Sequence, residues 1–158
     1  MRSSRKLRLG ALAVLALLAP ACGGSNPTIT DVARAALAIT VDPNPVPPSQ
    51  NALTGAVSIG YRITITETAG LGGELQFVSS QVYDPATGLL LSLTYFDGAD
   101  LVVFVGKKRV DPGGTLVVPQ TASYVLPDLS THATLVVSVQ MKDDRDNVIN
   151  QSLLVKVE

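Results

Sequence analysis

Between residues 57 and 66 the chain alternates without a break. Val57, Ile59, Tyr61, Ile63 and Ile65 share one phase of a two-residue period, and Ser58, Gly60, Arg62, Thr64 and Thr66 share the other. Side chains switch faces along a strand, so this rhythm predicts a β-strand with one buried and one wet face. On a helix the same five apolar residues would be scattered around the whole circumference. Such a strand cannot stand alone. It needs neighbours for its backbone groups and a second apolar layer for its buried face.

The rest of the chain supplies those neighbours. Residues 37–41 (LAITV) read as a short edge strand that ends in Asp42-Pro43-Asn44-Pro45-Val46-Pro47-Pro48, because proline has no amide to give to a central ladder. After a turn at Gly70, Gly72 and Gly73, residues 74–83 (ELQFVSSQVY) form a second strand. Its alternation is weaker, and a bulge is expected near Ser79-Ser80. Asp84-Pro85-Ala86-Thr87-Gly88 has the chemistry of a turn. Leu89, Leu91, Leu93 and Tyr95 then alternate with Leu90, Ser92 and Thr94. Asp97-Gly98-Ala99-Asp100 turns again into a short apolar run, 101–105 (LVVFV), counted as a strand. Residues 115–118 (TLVV) make a brief strand expected to stop at Pro119. Leu135, Val137, Val139 and Met141 mark one arm of a closing hairpin, and Leu153, Val155 and Val157 the other. About seven or eight short strands without a long helix predict an all-β antiparallel sandwich.

The N-terminus follows a different logic. Arg2, Arg5, Lys6 and Arg8 surround the start of an uncharged apolar stretch, 9–18 (LGALAVLALL). It is far shorter than the ~20 residues of a spanning helix. A basic head, a short apolar stretch and small residues before a cut site predict a secretory signal peptide over residues 1–21. Cys22 is the only cysteine, so the chain has no internal disulfide. It follows Leu17-Leu18-Ala19-Pro20-Ala21 and precedes Gly23-Gly24-Ser25. This run resembles the lipobox of bacterial lipoproteins, with Pro20 where Ala or Ser is more usual. The resemblance implies cleavage before Cys22, diacylation of its thiol and acylation of the new amine. It also implies an outer-membrane address where the cell has one, since glycine and not aspartate follows the cysteine. Each buried methylene contributes about 0.8 kcal/mol, so two or more acyl chains hold a protein firmly without a spanning helix.

Residues 22–36 are therefore expected to be the lipidated cysteine and a tether. The segment 31–37 (DVARAAL) is long enough for one helical turn, which is unstable in isolation. Residues 37–158 are expected to be the sandwich. Losing residues 1–21 removes four basic groups and moves the formal charge from -1 to -5. A mildly acidic surface argues against nucleic acid and against electrostatic adsorption to anionic lipid.

The opening ITVDPNPVPP (39–48) and the closing TLVVSVQMKDDRDNVINQSLLVKV (134–157) resemble bacterial immunoglobulin-like and fibronectin type III-like domains. The resemblance implies a single immunoglobulin-like β-sandwich. With no tryptophan and no spare cysteine, its core must rest on aliphatic residues and a few Tyr and Phe.

Candidate chemistry is sparse. Asp143, Asp144, Asp146 and Asn147 could offer oxygens to calcium with help from Asp97 or Asp100, although the EF-hand glycine and glutamate are missing. A solvated hairpin tip explains the same residues. His132 is the only histidine, and no serine stands in a nucleophile elbow, so no enzyme and no cofactor are expected. Lys107, Lys108 and Arg109 form a small basic cluster that could meet an acidic partner or guard a sheet edge. Aromatic residues are 4% of the chain, with Tyr61 and Tyr95 expected in the core and Tyr83, Phe96 and Tyr124, near turns, expected as the exposed rings. These features lead to the expectation of a non-enzymatic, lipid-anchored envelope module that contacts the membrane through Cys22 and another envelope protein through its surface. The alternative is a calcium- or carbohydrate-binding surface module.

Overall fold

The structure is a computed structural model that describes residues 33–126 and 132–158. The signal peptide, Cys22, the tether as far as residue 32, and Ser130-Thr131 lie outside the described residues. The strands are β1 (Leu37–Asp42), β2 (Ser49–Gln50), β3 (Ala56–Glu67), β4 (Gly73–Tyr83) and β5 (Leu90–Asp97), then helix α1 (Gly98–Val105), then β6 (Arg109–Val110), β7 (Thr115–Val125), β8 (Ala133–Asp143) and β9 (Val148–Val157). Among the described residues nine strands form, two of them only two residues long.

They make two antiparallel sheets, as an all-β sandwich requires. In the smaller sheet β3 is central, with β7 on one side and β1 and β2 in succession on the other. The larger sheet runs β5-β4-β8-β9, and β6 extends the β4 edge beyond β5. The alternating strand does what its pattern predicts. Val57, Ile59, Tyr61, Ile63 and Ile65 of β3 are buried against Val78, Val82, Leu135, Val137, Val139 and Met141 of the facing sheet. The proline-rich bend between β1 and β2 crosses to the other sheet, where Val46 donates to the Lys156 carbonyl and accepts from the Glu158 amide.

Several expectations need correction. The run at 101–105 is not a strand but the body of α1. Asp97 caps that helix by accepting from the amides of Ala99 and Asp100 at 2.7 and 2.9 Å, while the Asp100 carboxylate accepts from the Asp97 amide. Gly106 closes it in the left-handed region at φ 85°. Two satisfied ends outweigh the modest strand preference of three valines and a phenylalanine.

β7 does not stop at Pro119 but runs on to Val125. It is an edge strand paired only to β3, so the missing amide of Pro119 costs no ladder bond. The irregularities of β4 are not at Ser79-Ser80. Against β8 the register slips at Gln76, which turns Leu75 inward and Phe77 outward. Against β5 it slips at Leu91, the unpaired extra residue, which packs on the core while Leu93 and Tyr95 face solvent. Tyr95 is accordingly 53% exposed and not core. Tyr124 is 5% exposed and not a surface ring, because it sits on the inward phase of β7.

Candidate interaction surfaces

Two buried carboxylates organise one end of the sandwich. Glu67 is the last residue of β3 and continues the buried phase of that strand. It is 1% exposed and accepts from the amides of Ala36, Ala69, Gly70 and Gly113 at 3.3, 2.8, 2.8 and 2.9 Å. Asp143 ends β8 in the same way. It accepts from the amides of Ala35, Arg145 and Asn147 at 3.1, 2.9 and 2.8 Å, and from the Asn147 side chain. Residues 35 and 36 are thus pinned at this end, one to each sheet. Burial pushes the Asp143 carboxyl up, but the Asn147 amide group and the backbone donors of Ala35, Asn147 and Arg145 outweigh it and hold the group at about 2. Burial also raises Glu67, and its four amide donors bring it below the usual glutamate range.

A pH dependence follows. Both groups have folded values below their unfolded ones, so their contribution is full above about pH 5 and is lost as pH falls through the folded values. The melting temperature is expected to drop on acidification from about pH 5 towards pH 2. Asp143→Asn, which cannot titrate, should start lower at neutral pH and fall less over that interval. A thermal melt series by circular dichroism checks this, and equal slopes for both proteins would refute the role given to Asp143.

The same end gathers the charged loops. Arg109 holds Asp144 through two parallel bonds of 2.8 Å, Lys108 meets Glu74 at 2.8 Å, and Lys142 meets Asp146 at 2.6 Å. The hydrogen bonds from Arg109 lower the Asp144 carboxyl, and the pair raises Arg109. The structure therefore separates Lys107, Lys108 and Arg109 into different roles, with two of the three paired. It brings the acidic loop together around protein donors: Asp143, Asp144 and Asp146 all accept from N–H groups of the chain, and Asp97 and Asp100 serve the α1 cap. Among the described residues no group of three or more His, Cys, Asp or Glu could hold a metal ion. His132 is exposed just ahead of β8.

The second surface was not legible in the sequence. On the outer face of the larger sheet, pairing places Leu93 beside Gln81, Gln81 beside Val136 and Val136 beside Leu154. The next row is Tyr95, Ser79, Ser138 and Ser152, and the next holds Asp97, Phe77, Gln140 and Asn150. The first two rows carry no charge, and the third carries one, Asp97 at the β5 edge. Local bonds hold the side chains flat: Ser138 to Ser152 at 3.0 Å, Gln140 to Asn150 at 2.9 Å, and the Tyr95 ring stacked on Phe77 at 5.5 Å. The outer face of the smaller sheet differs, carrying Arg62 next to Asp42. A finer period-2 reading of β8 and β9 would have exposed the absence of charge, but only the register aligns the strands into one field.

No family model matches the chain, and no curated protein does. Solved structures share its fold. The Northeast Structural Genomics Consortium target SoR45 overlays with a TM-score of 0.56 at 13% identity, over 77% of this chain and 86% of that one. A Bordetella pertussis protein assigned as ApaA overlays with a TM-score of 0.57 at 12% identity, over 78% of this chain and 94% of that one. At such identities the likeness shows the sandwich alone. The CARDB domain of a Pyrococcus furiosus protein, solved in complex with di-metal ions, overlays at only 0.42 with 15% identity, over 78% of this chain and 87% of that one, and carries no argument.

Proposed function

We propose that this chain is a non-enzymatic, lipid-anchored cell-envelope protein that binds another envelope protein through the outer face of its larger sheet. The observation that carries the binding role is the nearly uncharged field spanning β5, β4, β8 and β9. In a chain with 16% charged residues, two consecutive four-strand rows without one, and a third charged only at Asp97 on its β5 edge, are a surface suited to being covered. The anchor rests on Cys22 and the lipobox-like run before it.

Size sets the expected strength. Four strands about 4.8 Å apart and several residues of about 3.4 Å each give a patch of roughly 400 Å² in projection. Stable pairs bury about 800 Å² on each partner, so this contact belongs to the weak, transient class. A photo-crosslinking residue placed at Gln81 should therefore capture a defined envelope partner in intact cells, while the same residue at Arg62 on the other sheet should not. Equal capture from both faces would sink the binding role. Intact mass of membrane-extracted protein tests the anchor separately: an acylated species starting at Cys22 is expected, and an unmodified thiol would end that half of the proposal.

One observation favours a second reading for the same face. Tyr95 is an exposed ring beside Ser79, and a sugar could stack on such a ring. A glycan array with the parent protein and Tyr95→Ala separates the two, since loss of a glycan signal with the ring supports the sugar reading.

A further inference from the structure

We propose that the outer edge of β5 pairs with the β5 of a second copy of this chain, antiparallel about a twofold axis at Thr94, so that two larger sheets join into one. The pairing needs neither the anchor nor the envelope partner put forward above.

A sheet edge carries a row of unpaired N–H and C=O groups, and proteins blunt such rows with charge, proline, shortness or a covering segment. The other edges of this sandwich are blunted. β9 carries Lys156 and is met by the proline-rich bend, where Val46 donates to the Lys156 carbonyl and accepts from the Glu158 amide. β7 has Pro119 in its middle, β1 ends in Asp42 followed by Pro43, and β2 is two residues long. β6 is Arg109-Val110, with Arg109 held by Asp144. β5 has none of these devices. From Leu90 to Phe96 it holds no charged residue and no proline, and among the described residues it pairs with β4 alone.

Burial marks the same edge. The inward residues of the neighbouring strands are fully covered, as at Val78, Val82, Leu135 and Val137. In β5 the inward Ser92, Thr94 and Phe96 are only half-buried, and the outward Leu93 and Tyr95 are 55% and 53% exposed. Thr94 and Phe96 border a cleft of about 290 Å³ against Pro119, Gln120 and Thr121 of β7. The exposed Phe104 of α1 stands over Phe96, with ring centres 5.2 Å apart. Apolar side chains thus flank a ladder that lacks its next strand.

The chemistry of the edge selects the occupant. An open ladder takes an extended strand, and an edge with no charge to complement disfavours a highly charged one. β5 is itself such a strand, and a twofold axis perpendicular to the sheet keeps each face on its own side. With the axis at Thr94, Leu93 lies opposite Tyr95 of the second copy, Ser92 opposite its Phe96, and Thr94 opposite its own counterpart. Aliphatic–aromatic and Thr–Thr neighbours are favourable across strands. Leu91, the extra residue where β5 slips against β4, falls outside these pairs. In this register the two uncharged rows run on from one copy to the next, four strands wide in one and eight in the pair. The ladder itself is short, well under the about 800 Å² per partner of a stable complex, so the pair is transient and is best read by covalent trapping.

Cysteine trapping reads both the contact and its register. Opposite Cα atoms of neighbouring strands lie about 4.5–5.5 Å apart, within the about 4.4–6.8 Å that a disulfide spans. Full-length Thr94→Cys would be oxidised with diamide in cells that produce it, with the parent chain reporting any linkage through Cys22. The expected result is a disulfide-linked dimer at least about tenfold above that of Ser92→Cys, whose two sites would stand about 14 Å apart along the strands. Adding Leu93→Lys to Thr94→Cys should cut the yield about fivefold, because two cross-strand pairs are lost. Leu93→Cys and Tyr95→Cys, co-produced on separate chains, should link to each other more than to themselves, at exposed sites where folding is not at stake. Equal yields from Thr94→Cys and Ser92→Cys, or no dimer from either Thr94→Cys or the mixed pair, would overturn the pairing. An adduct of Thr94→Cys with a different protein would give the edge another occupant and overturn the second copy.

Discussion

Gly73→Ala is expected to destabilise the domain by roughly 3 kcal/mol or more, since it forces backbone apart in a filled position. A Cβ built on Gly73 would lie 2.5 Å from the Lys142 carbonyl oxygen and 2.8 Å from the Asp143 Cα. Neither neighbour is a flexible side-chain end. Both belong to β8, which pairs β4 along nearly its whole length. Gly73 is also held from the other side by Val110, so β4 cannot step away. Gly88→Ala makes the comparison sharp. Gly88 sits at φ 72° with nothing within 4 Å of its would-be Cβ, so only the conformational cost applies, about 1 kcal/mol. Urea denaturation of the two variants measures both. A midpoint for Gly73→Ala close to that of Gly88→Ala would contradict the packing at the β4–β8 crossing.

Glu67→Ala is expected to cost about 3 kcal/mol, and so lower the melting temperature by about 10 °C. The side chain satisfies four amides drawn from three separate stretches: residue 36 ahead of β1, residues 69 and 70 after β3, and residue 113 ahead of β7. Removing the acceptor leaves those donors in a space shaped for a carboxylate, and bonds to a charged group are worth about twice a neutral one. Glu67→Gln keeps the shape but points two donors towards amide donors, so it should recover only part of the loss. Scanning calorimetry on both variants checks this, and a wild-type melt for Glu67→Ala would show that water serves those amides equally well.

The strands with one clean buried phase were readable from the residues: 57–66, and the arms that became β8 and β9. Their alternation is uninterrupted because both lie mid-sheet or in a tight hairpin with no slip. β4 and β5 were harder because a bulge at Gln76 and another at Leu91 each reverse the phase, so Leu75 and Val78 point inward despite odd spacing. A five-residue apolar run such as 101–105 carries too few periods to separate strand from helix. The signal that decides it is local: Asp97 and Asp100 at the spacing of a reciprocal cap, with Gly106 at the far end. Glu67 and Asp143 were legible in hindsight from phase. Each continues the inward set of its strand by one more step, where a lone carboxylate demands donors. The nearly uncharged field was not legible, since it depends on register between four strands that sequence order leaves open.

The pinning of residues 35 and 36 has a mechanical side. Ala35 is bonded to the larger sheet and Ala36 to the smaller one. Any tension arriving from the N-terminal direction is therefore divided between both layers before it reaches the β1–β3 ladder. That ladder would have to slide along its length and could not peel open bond by bond, a geometry that resists tugging far better than its modest size suggests.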